Sequence, residues 1–269
     1  MIELDDEKLK KIQSVELEML IEIDRICRKY NIKYSLDGGT LLGAIRHNGF
    51  IPWDDDADVV MLREEYEKFY KACKKELDTE RFFLQEFRTD EYYRWGYSKL
   101  RRKDTLFLRE GQEHIKCQQG IFLDIFICDE VPENEWLRKL HLLSCFCIRK
   151  GLYSEVGRVK EEKEYMRFIF ELIYKIPRKC WVWLLNNLIR ITKKRKGTLV
   201  AHYTYPYPKR CRYGMPRKCF DEYVDKDFEG KTFKTFKNYD LYLKLLYGNY
   251  MELPPVEKRK VHPVSKLKV

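Results

Sequence analysis

A chain of 269 residues that is 44% hydrophobic and 14% aromatic has the length and apolar content for a folded protein with a sizeable core, which excludes a disordered one. Its formal net charge of +10 favours anionic partners without choosing among nucleotides, phosphorylated glycans, nucleic acid and lipid surfaces. No apolar run reaches the eighteen or so residues of a membrane span, and the nine cysteines form no CxxC pair and no disulfide framework. With no secretory apolar segment in MIELDDEKLKK, a reduced, cytoplasmic protein is expected.

Along the chain, Ile12, Val15, Met19, Ile23, Ile26 and Tyr30 recur three and four apart and predict a helix over 6–30. Residues 32–36 read as a short strand, broken by Gly38 and Gly39, after which Thr40 caps a short helix over LLGAIRH. A second strand is expected over 56–62, then a helix with Tyr66, Phe69, Tyr70 and Cys73 on one side. RFFLQEF and RWGYSKLRRKDTLFLRE read as strands of a twisted sheet, and GIFLDIFICDEVP as a buried strand. Residues 135–197 read as helical and rich in Trp, Leu, Lys and Arg. YTYPYPKRCRYG and DFEGKTFK read as turn-rich segments, and NYDLYLKLLYGN as a helix. The expected organisation is a core over 1–134, a helical insert over 135–198 and a segment over 199–269 that packs back on the core.

FIPWDDDADVVML concentrates like charge where an apolar strand begins. Strand alternation would place Asp54, Asp56 and Asp58 on one face and Asp55 on the other, which makes Asp55 the dispensable one. Carboxylates so close repel unless a cation lies between them, and hard oxygen ligands suit Mg²⁺ or Mn²⁺. Asp124 stands alone among Ile121, Phe122, Leu123, Ile125, Phe126 and Ile127, where an unpaired charge is costly. On a strand beside Asp56 and Asp58 it would be the third carboxylate; its other reading is a charge pair with a buried arginine. SLDGGTLLGAIR places Gly38, Gly39 and Thr40 where a strand passes into a helix, a cradle for phosphate.

This combination resembles the nucleotidyltransferase superfamily typified by DNA polymerase beta, with a longer interval between the glycines and the acidic pair than is usual there. DGGTLLGAIRHNGFIPWDDDADVVM, IFLDIF, DFEGKTF and YGNYMELPPVEKRKVHP together look like the LicD family, which includes bacterial phosphorylcholine transferases and is related to the fukutin proteins. The resemblance implies an α+β fold, a nucleotidyltransferase-like mixed sheet flanked by helices, with a helical lobe. It implies metal-dependent transfer of a phosphoalcohol, most often phosphocholine, from a CDP-linked donor to a hydroxyl of a cell-surface glycan such as teichoic acid, lipopolysaccharide or capsule, releasing CMP. Asp56, Asp58 and Asp124 would hold the metal, and Asp124 would otherwise serve as base.

Weaker candidates surround this set. Arg46, His47, Lys99, Arg101 and Arg102 are candidate phosphate contacts, His114 and His262 candidate proton carriers, and Trp53, Trp95 and Tyr97 a candidate cage for choline. Acceptors built on lipid carriers, together with the mixed apolar and basic run over 160–197, lead to an expectation of peripheral contact with the cytoplasmic face of a membrane. The alternative is a nucleotidyltransferase that moves NMP from an NTP to a small molecule or RNA. A basic nucleic-acid-binding module fits less well, because the densest charge cluster is negative, and no nucleic-acid partner is expected.

Overall fold

A computed structural model describes residues 2, 4–193, 197–259 and 261–269. The protein is α+β: a mixed sheet with helices packed on it and a lobe of three further helices. The first helix, α1 (Asp6–Lys29), is capped by Asp5, whose carboxylate accepts from the Lys8 N–H at 2.9 Å. Acidic residues sit in its first turn and basic ones in its last, which suits the helix dipole. Ile12, Met19, Ile23 and Ile26 are buried as the spacing predicts, but Glu16 is buried beside them and Tyr30 is exposed.

The sheet runs β1 (Ser35–Leu36), β2 (Ala57–Leu62), β6 (Phe122–Glu130), β4 (Ser98–Arg102), β3 (Phe82–Gln85). β2 and β6 are parallel and the other neighbours antiparallel. The unbroken apolar run of β6 follows from its central place, paired on both edges and buried along nearly its whole length. Between these strands lie α2 (Gly38–His47) and α3 (Arg63–Glu76). The Arg63 guanidinium grips Asp129 of β6 with two bonds of 2.9 and 2.6 Å, which ties the start of α3 to the far end of the central strand.

Strand β5 (Leu106–Arg109) leaves the sheet and pairs with β11 (Val264–Lys268). The chain beyond residue 198 reaches the core at several places. β7 (Leu199–Ala201) pairs antiparallel with the end of β6 and with β8 (Met215–Pro216). DFEGKTFK, expected to be turn-rich, lies in an antiparallel hairpin of β9 (Tyr223–Phe228) and β10 (Lys231–Phe236). Its two-residue loop is Glu229–Gly230, with φ of 50° and 69°, the left-handed pair that matches strand twist. The helix α7 (Tyr239–Tyr247) lies against α2.

The span expected to be helical holds three helices, α4 (Glu135–Lys160), α5 (Glu164–Tyr174) and α6 (Arg178–Thr192). Breaks fall at 161–163 and before Pro177, which cannot continue a helix. Gly151 and Gly157 on α4 lie under the rings of Trp181 and Phe170, and a Cβ at Gly157 would stand 2.7 Å from the Phe170 ring. Among the described residues no helix is long and apolar enough to cross a membrane.

His141 of α4 is buried edge-on to Tyr203, ring centroids 4.5 Å apart, and burial pushes its pKa down to about 4. An imidazole with a depressed pKa stabilises the fold above its unfolded value near 6.5 and loses that contribution as pH falls toward 4. We expect His141→Gln to flatten the decline of unfolding free energy between pH 6 and 4.5 by about 1 kcal/mol per pH unit. Denaturant unfolding across that range measures it, and an unchanged slope contradicts the assignment.

Candidate active site

The site forms where β1 ends and β2 begins. Asp37 follows β1 and caps α2, its carboxylate accepting from the Gly38 N–H at 2.8 Å and from the Tyr242 hydroxyl at 2.6 Å. Burial nevertheless lifts its pKa to about 6. Its backbone N–H donates to the Asp58 carbonyl at 3.0 Å, and the Thr40 hydroxyl accepts from the Asp58 N–H at 2.8 Å. The first turn of α2 is thereby clamped to β2.

The glycine pair belongs to that first turn and is not a loop before it. The cap is Asp37, whereas Thr40 was expected in that role, because the helix starts at Gly38. Gly38 has φ of +51°, and a Cβ there would lie 3.0 Å from an Asp58 carboxylate oxygen. A Cβ on Gly39 would collide with the Asp54 carboxylate. Both glycines make room for acidic side chains, and Gly38 also faces the cavity.

Strand register assembles the carboxylates. On parallel β2 and β6, Asp58 is paired with Asp124, and on antiparallel β4, Lys99 is the neighbour of Asp124 on its other side. The Lys99 ammonium is ion-paired with Asp124, which supplies the charge partner expected of an arginine. Burial, opposed by the Asp124 carboxylate, brings the Lys99 pKa down to about 7. Asp56, Asp58 and Asp124 line a cavity of about 430 Å³ together with Asp37, Arg109, His262 and a wall of aromatic rings.

The alternation expected for residues 54–56 does not hold, because the strand begins only at Ala57. In the preceding turn the carboxylates of Asp54, Asp55 and Asp56 converge, with oxygens all within 4.8 Å of one another. Asp55 is not idle. It is 1% exposed and accepts from the His262 backbone N–H at 2.9 Å, with the His262 Nδ1 at 3.1 Å. The turn is also held by Gln13 of α1, whose amide donates to the Asp54 carbonyl at 2.9 Å.

The electrostatics show what this group lacks. Burial and the neighbouring carboxylates hold Asp54 and Asp58 well above the usual carboxylate range, and burial raises Asp56 against the pull of His262. Glu16 of α1 has a buried oxygen with no hydrogen-bond partner among the described residues, and burial plus the charges of Asp56, Asp55 and Asp54 raise its pKa well above the usual range. An oxygen-rich set in mutual repulsion suits a hard divalent cation; Asp54, Asp55 and Asp56 are the three that converge, and Asp37, Asp56, Asp58 and Asp124 are the carboxylates that face the cavity.

Other expected contacts lie elsewhere. Arg46 donates to the carbonyls of Tyr250 and Glu252 at 2.8 and 3.3 Å and so fastens the loop after α7, while His47 meets Trp53 edge-on in the loop before β2. Arg101 is buried and donates to Gln85 and to the Gly120 carbonyl, while Arg102 turns to Glu18. His114 bonds the Glu155 carbonyl. Of the aromatic trio, Tyr97 lines the cavity, Trp95 lines an adjacent one, and Trp53 carries Arg259 at 4.2 Å. Arg109, His202, Tyr205, Tyr207 and Tyr247 were not expected as cavity residues, since each arrives from a distant segment, and neither was Asp37, although it adjoins the glycine pair. The adjacent cavity, also about 430 Å³, carries Arg94, Arg149 and Lys150 and shares Tyr97, Arg109, Tyr205 and Pro206 with the first.

A cation bound only by the folded site raises stability by about 2.7 kcal/mol at 100-fold its dissociation constant. That is roughly 5–10 °C for a protein of this size. We expect Mg²⁺ or Mn²⁺ to raise the unfolding temperature of the wild type and not that of Asp58→Asn. The substitution alone should stabilise the cation-free protein by removing one repelling charge. A cation response that survives in Asp58→Asn contradicts this site.

Comparison with known proteins agrees with this architecture. The family model described as LicD/FKTN/FKRP, nucleotidyltransferase domain, matches residues 31–119, which hold the glycine turn, the aspartate run, Lys99 and Arg109. The lipopolysaccharide cholinephosphotransferase LicD of Haemophilus influenzae is 30% identical over 292 aligned positions, covering 96% of this chain and 96% of its own. An uncharacterised protein of Rickettsia prowazekii is 34% identical over 99 residues, 28% of this chain and 37% of that protein. With a relative similar along nearly its whole length, the chain belongs to the LicD family.

Proposed function

We propose that this protein transfers phosphocholine from CDP-choline to a hydroxyl of a cell-surface glycan and releases CMP. The observation that carries the reading is the β2–β6 register, which sets Asp58 beside Asp124 at the floor of a cavity large enough for a nucleotide diphosphate ester. It is supported by similarity to a relative named a lipopolysaccharide cholinephosphotransferase.

Asp56, Asp58 and Asp124 would hold Mg²⁺ or Mn²⁺. Bound there, such an ion would neutralise diphosphate oxygens and favour attack on phosphorus. Lys99 offsets the charge of Asp124 and fixes its carboxylate. Arg109 lines the same cavity and presents a guanidinium to phosphate oxygens. The acceptor oxygen bonds to the choline-bearing phosphorus as the bond from that phosphorus to the oxygen bridging to CMP breaks. The acceptor proton passes to a base, and CMP leaves with the bridging oxygen. Since Asp124 is committed to Lys99, His262, held through Nδ1 by Asp55, is the better-placed base.

The adjacent basic cavity, walled on one side by α4, suits an anionic acceptor. The lobe fits an acceptor carried at a membrane surface. Trp136, Leu140, Leu143, Phe168, Trp183 and Ile191 are exposed on its helices, and twelve basic against six acidic residues lie between Glu135 and Thr192. Amphipathic helices of this composition settle into anionic headgroups on the cytoplasmic face. Of the basic run that follows, residues 194–196 lie outside the described residues.

Incubated with CDP-choline, Mg²⁺ and a cell-envelope glycan extract, the wild type should release CMP. Asp58→Asn and Asp124→Asn should each slow release by about 100- to 1,000-fold. Pyrophosphate release from an NTP, with CDP-choline inert, would favour nucleotidyl transfer and overturn the reading. Sedimentation with phosphatidylglycerol vesicles should remove the wild type from solution and leave the triple variant Leu140→Glu, Leu143→Glu, Trp183→Glu behind. Equal sedimentation of the two sinks the membrane surface.

A further inference from the structure

Two residues beyond Asp124 on β6 the cavity changes character. The Phe126 ring lies 4.9 Å from Tyr97 and 5.2 Å from Tyr205, and is stacked on His202 at 4.9 Å. Tyr97 and Tyr205 meet edge-on at 6.5 Å. All four rings line the cavity that holds Asp56, Asp58 and Asp124. Phe126 and Tyr97 are buried, and Tyr205 is 50% exposed, a ring a ligand would cover. Neither ring nitrogen of His202 has a hydrogen-bond partner among the described residues, although the residue is buried. The close approach is built in, since a Cβ on Gly96, next to Tyr97, would collide with the side chain of Thr204, next to Tyr205.

Such a wall of packed rings, with one ring half exposed, suits a quaternary ammonium laid against it. A quaternary ammonium carries no N–H and cannot be recognised by hydrogen bonds, so it is bound by ring faces with negative charge nearby. The carboxylates supply that charge. A two-residue step along a strand is about 6.6 Å, a span that a phosphate at Asp124 and an ammonium two carbons away can bridge. A cytosine ring would also stack on tyrosine, but as a neutral group it gains nothing from the acidic field. We propose, resting on the reading of the reaction given above, that Tyr97, Phe126, His202 and Tyr205 form the subsite for the trimethylammonium group of the donor. The box sets the preference for choline over polyol alcohols such as glycerol and ribitol.

The test compares CDP-choline with its uncharged isostere, the CDP ester of 3,3-dimethylbutanol, and uses CMP as a competitive inhibitor. The wild type should favour CDP-choline by roughly 2- to 30-fold in kcat/KM, the range of a cation over aromatic faces. Tyr205→Ala should lose that preference while CMP inhibits as before, and Tyr205→Phe should keep it. Equal use of both donors by the wild type overturns the proposal. So does a Tyr205→Ala variant in which CMP and CDP-choline weaken together, which would assign the box to the base. Choline alone, titrated calorimetrically, separates the two ideas. If no CDP-alcohol is turned over, the reaction assignment fails, while choline binding that weakens in Tyr205→Ala still locates the box. No difference between wild type and Tyr205→Ala in choline binding refutes the box itself.

Discussion

Repulsion among buried carboxylates is the constraint around which this molecule is organised. Asp54, Asp56 and Asp58 arrive on one turn and the strand it feeds, Asp124 comes from the neighbouring strand, and Glu16 approaches from α1. Burial and the neighbouring charges make Asp54, Asp58 and Glu16 costly to ionise, and burial raises Asp56 as well. Relaxation would splay them apart, and the surrounding structure prevents it. Gln13 holds the backbone of the turn, Thr40 holds the N–H of Asp58, and His262 is locked to Asp55. The glycines of α2 belong to the same arrangement, since a side chain at either would occupy the space of a carboxylate. The fold therefore holds a set of carboxylates in mutual repulsion at a cost in stability, as expected of sites that preorganise charge.

Lys99 shows how the cost is contained. One cation inside the sheet removes Asp124 from the repelling set, so the acids that face the cavity are not all uncompensated. Its own burial weakens its hold on a proton, and a lysine balanced in this way depends on its partner staying ionised. The pairing also redistributes roles. A carboxylate bound to an ammonium is a poor proton acceptor, and the imidazole that Asp55 orients becomes the more suitable one.

Much of this was legible in the sequence because the evidence there is local. Four aspartates in five positions, two glycines before a helix and one aspartate inside an apolar strand each violate an ordinary preference, and each violation marks the site. The α+β class followed from the same elements. What the sequence concealed was non-local or conformational. Alternation failed at Asp54–Asp56 because a strand's first residue cannot be read to within one or two positions. The β9–β10 hairpin was missed because Glu-Gly is a weaker turn signal than Asn-Gly. Arg109 and Tyr205 come from a strand outside the main sheet and a segment read as turns, and nothing in their own neighbourhoods announces that they share a cavity with Asp58, whereas His262, near the end of the chain, was named as a proton carrier without its place beside Asp55. Arg46 and Arg101 mark the opposite error, since a basic residue near a phosphate motif is as readily spent on carbonyl oxygens.

The central claim is that the reacting phosphorus is the one that carries choline. Its most direct test follows CDP-choline labelled with ³²P at that phosphorus, in the presence of Mg²⁺ and glycan acceptor. The account predicts that label and choline pass together into the glycan while the CMP released is unlabelled. Label left on released phosphocholine while CMP joins the acceptor would mean attack at the nucleoside phosphorus and would contradict it.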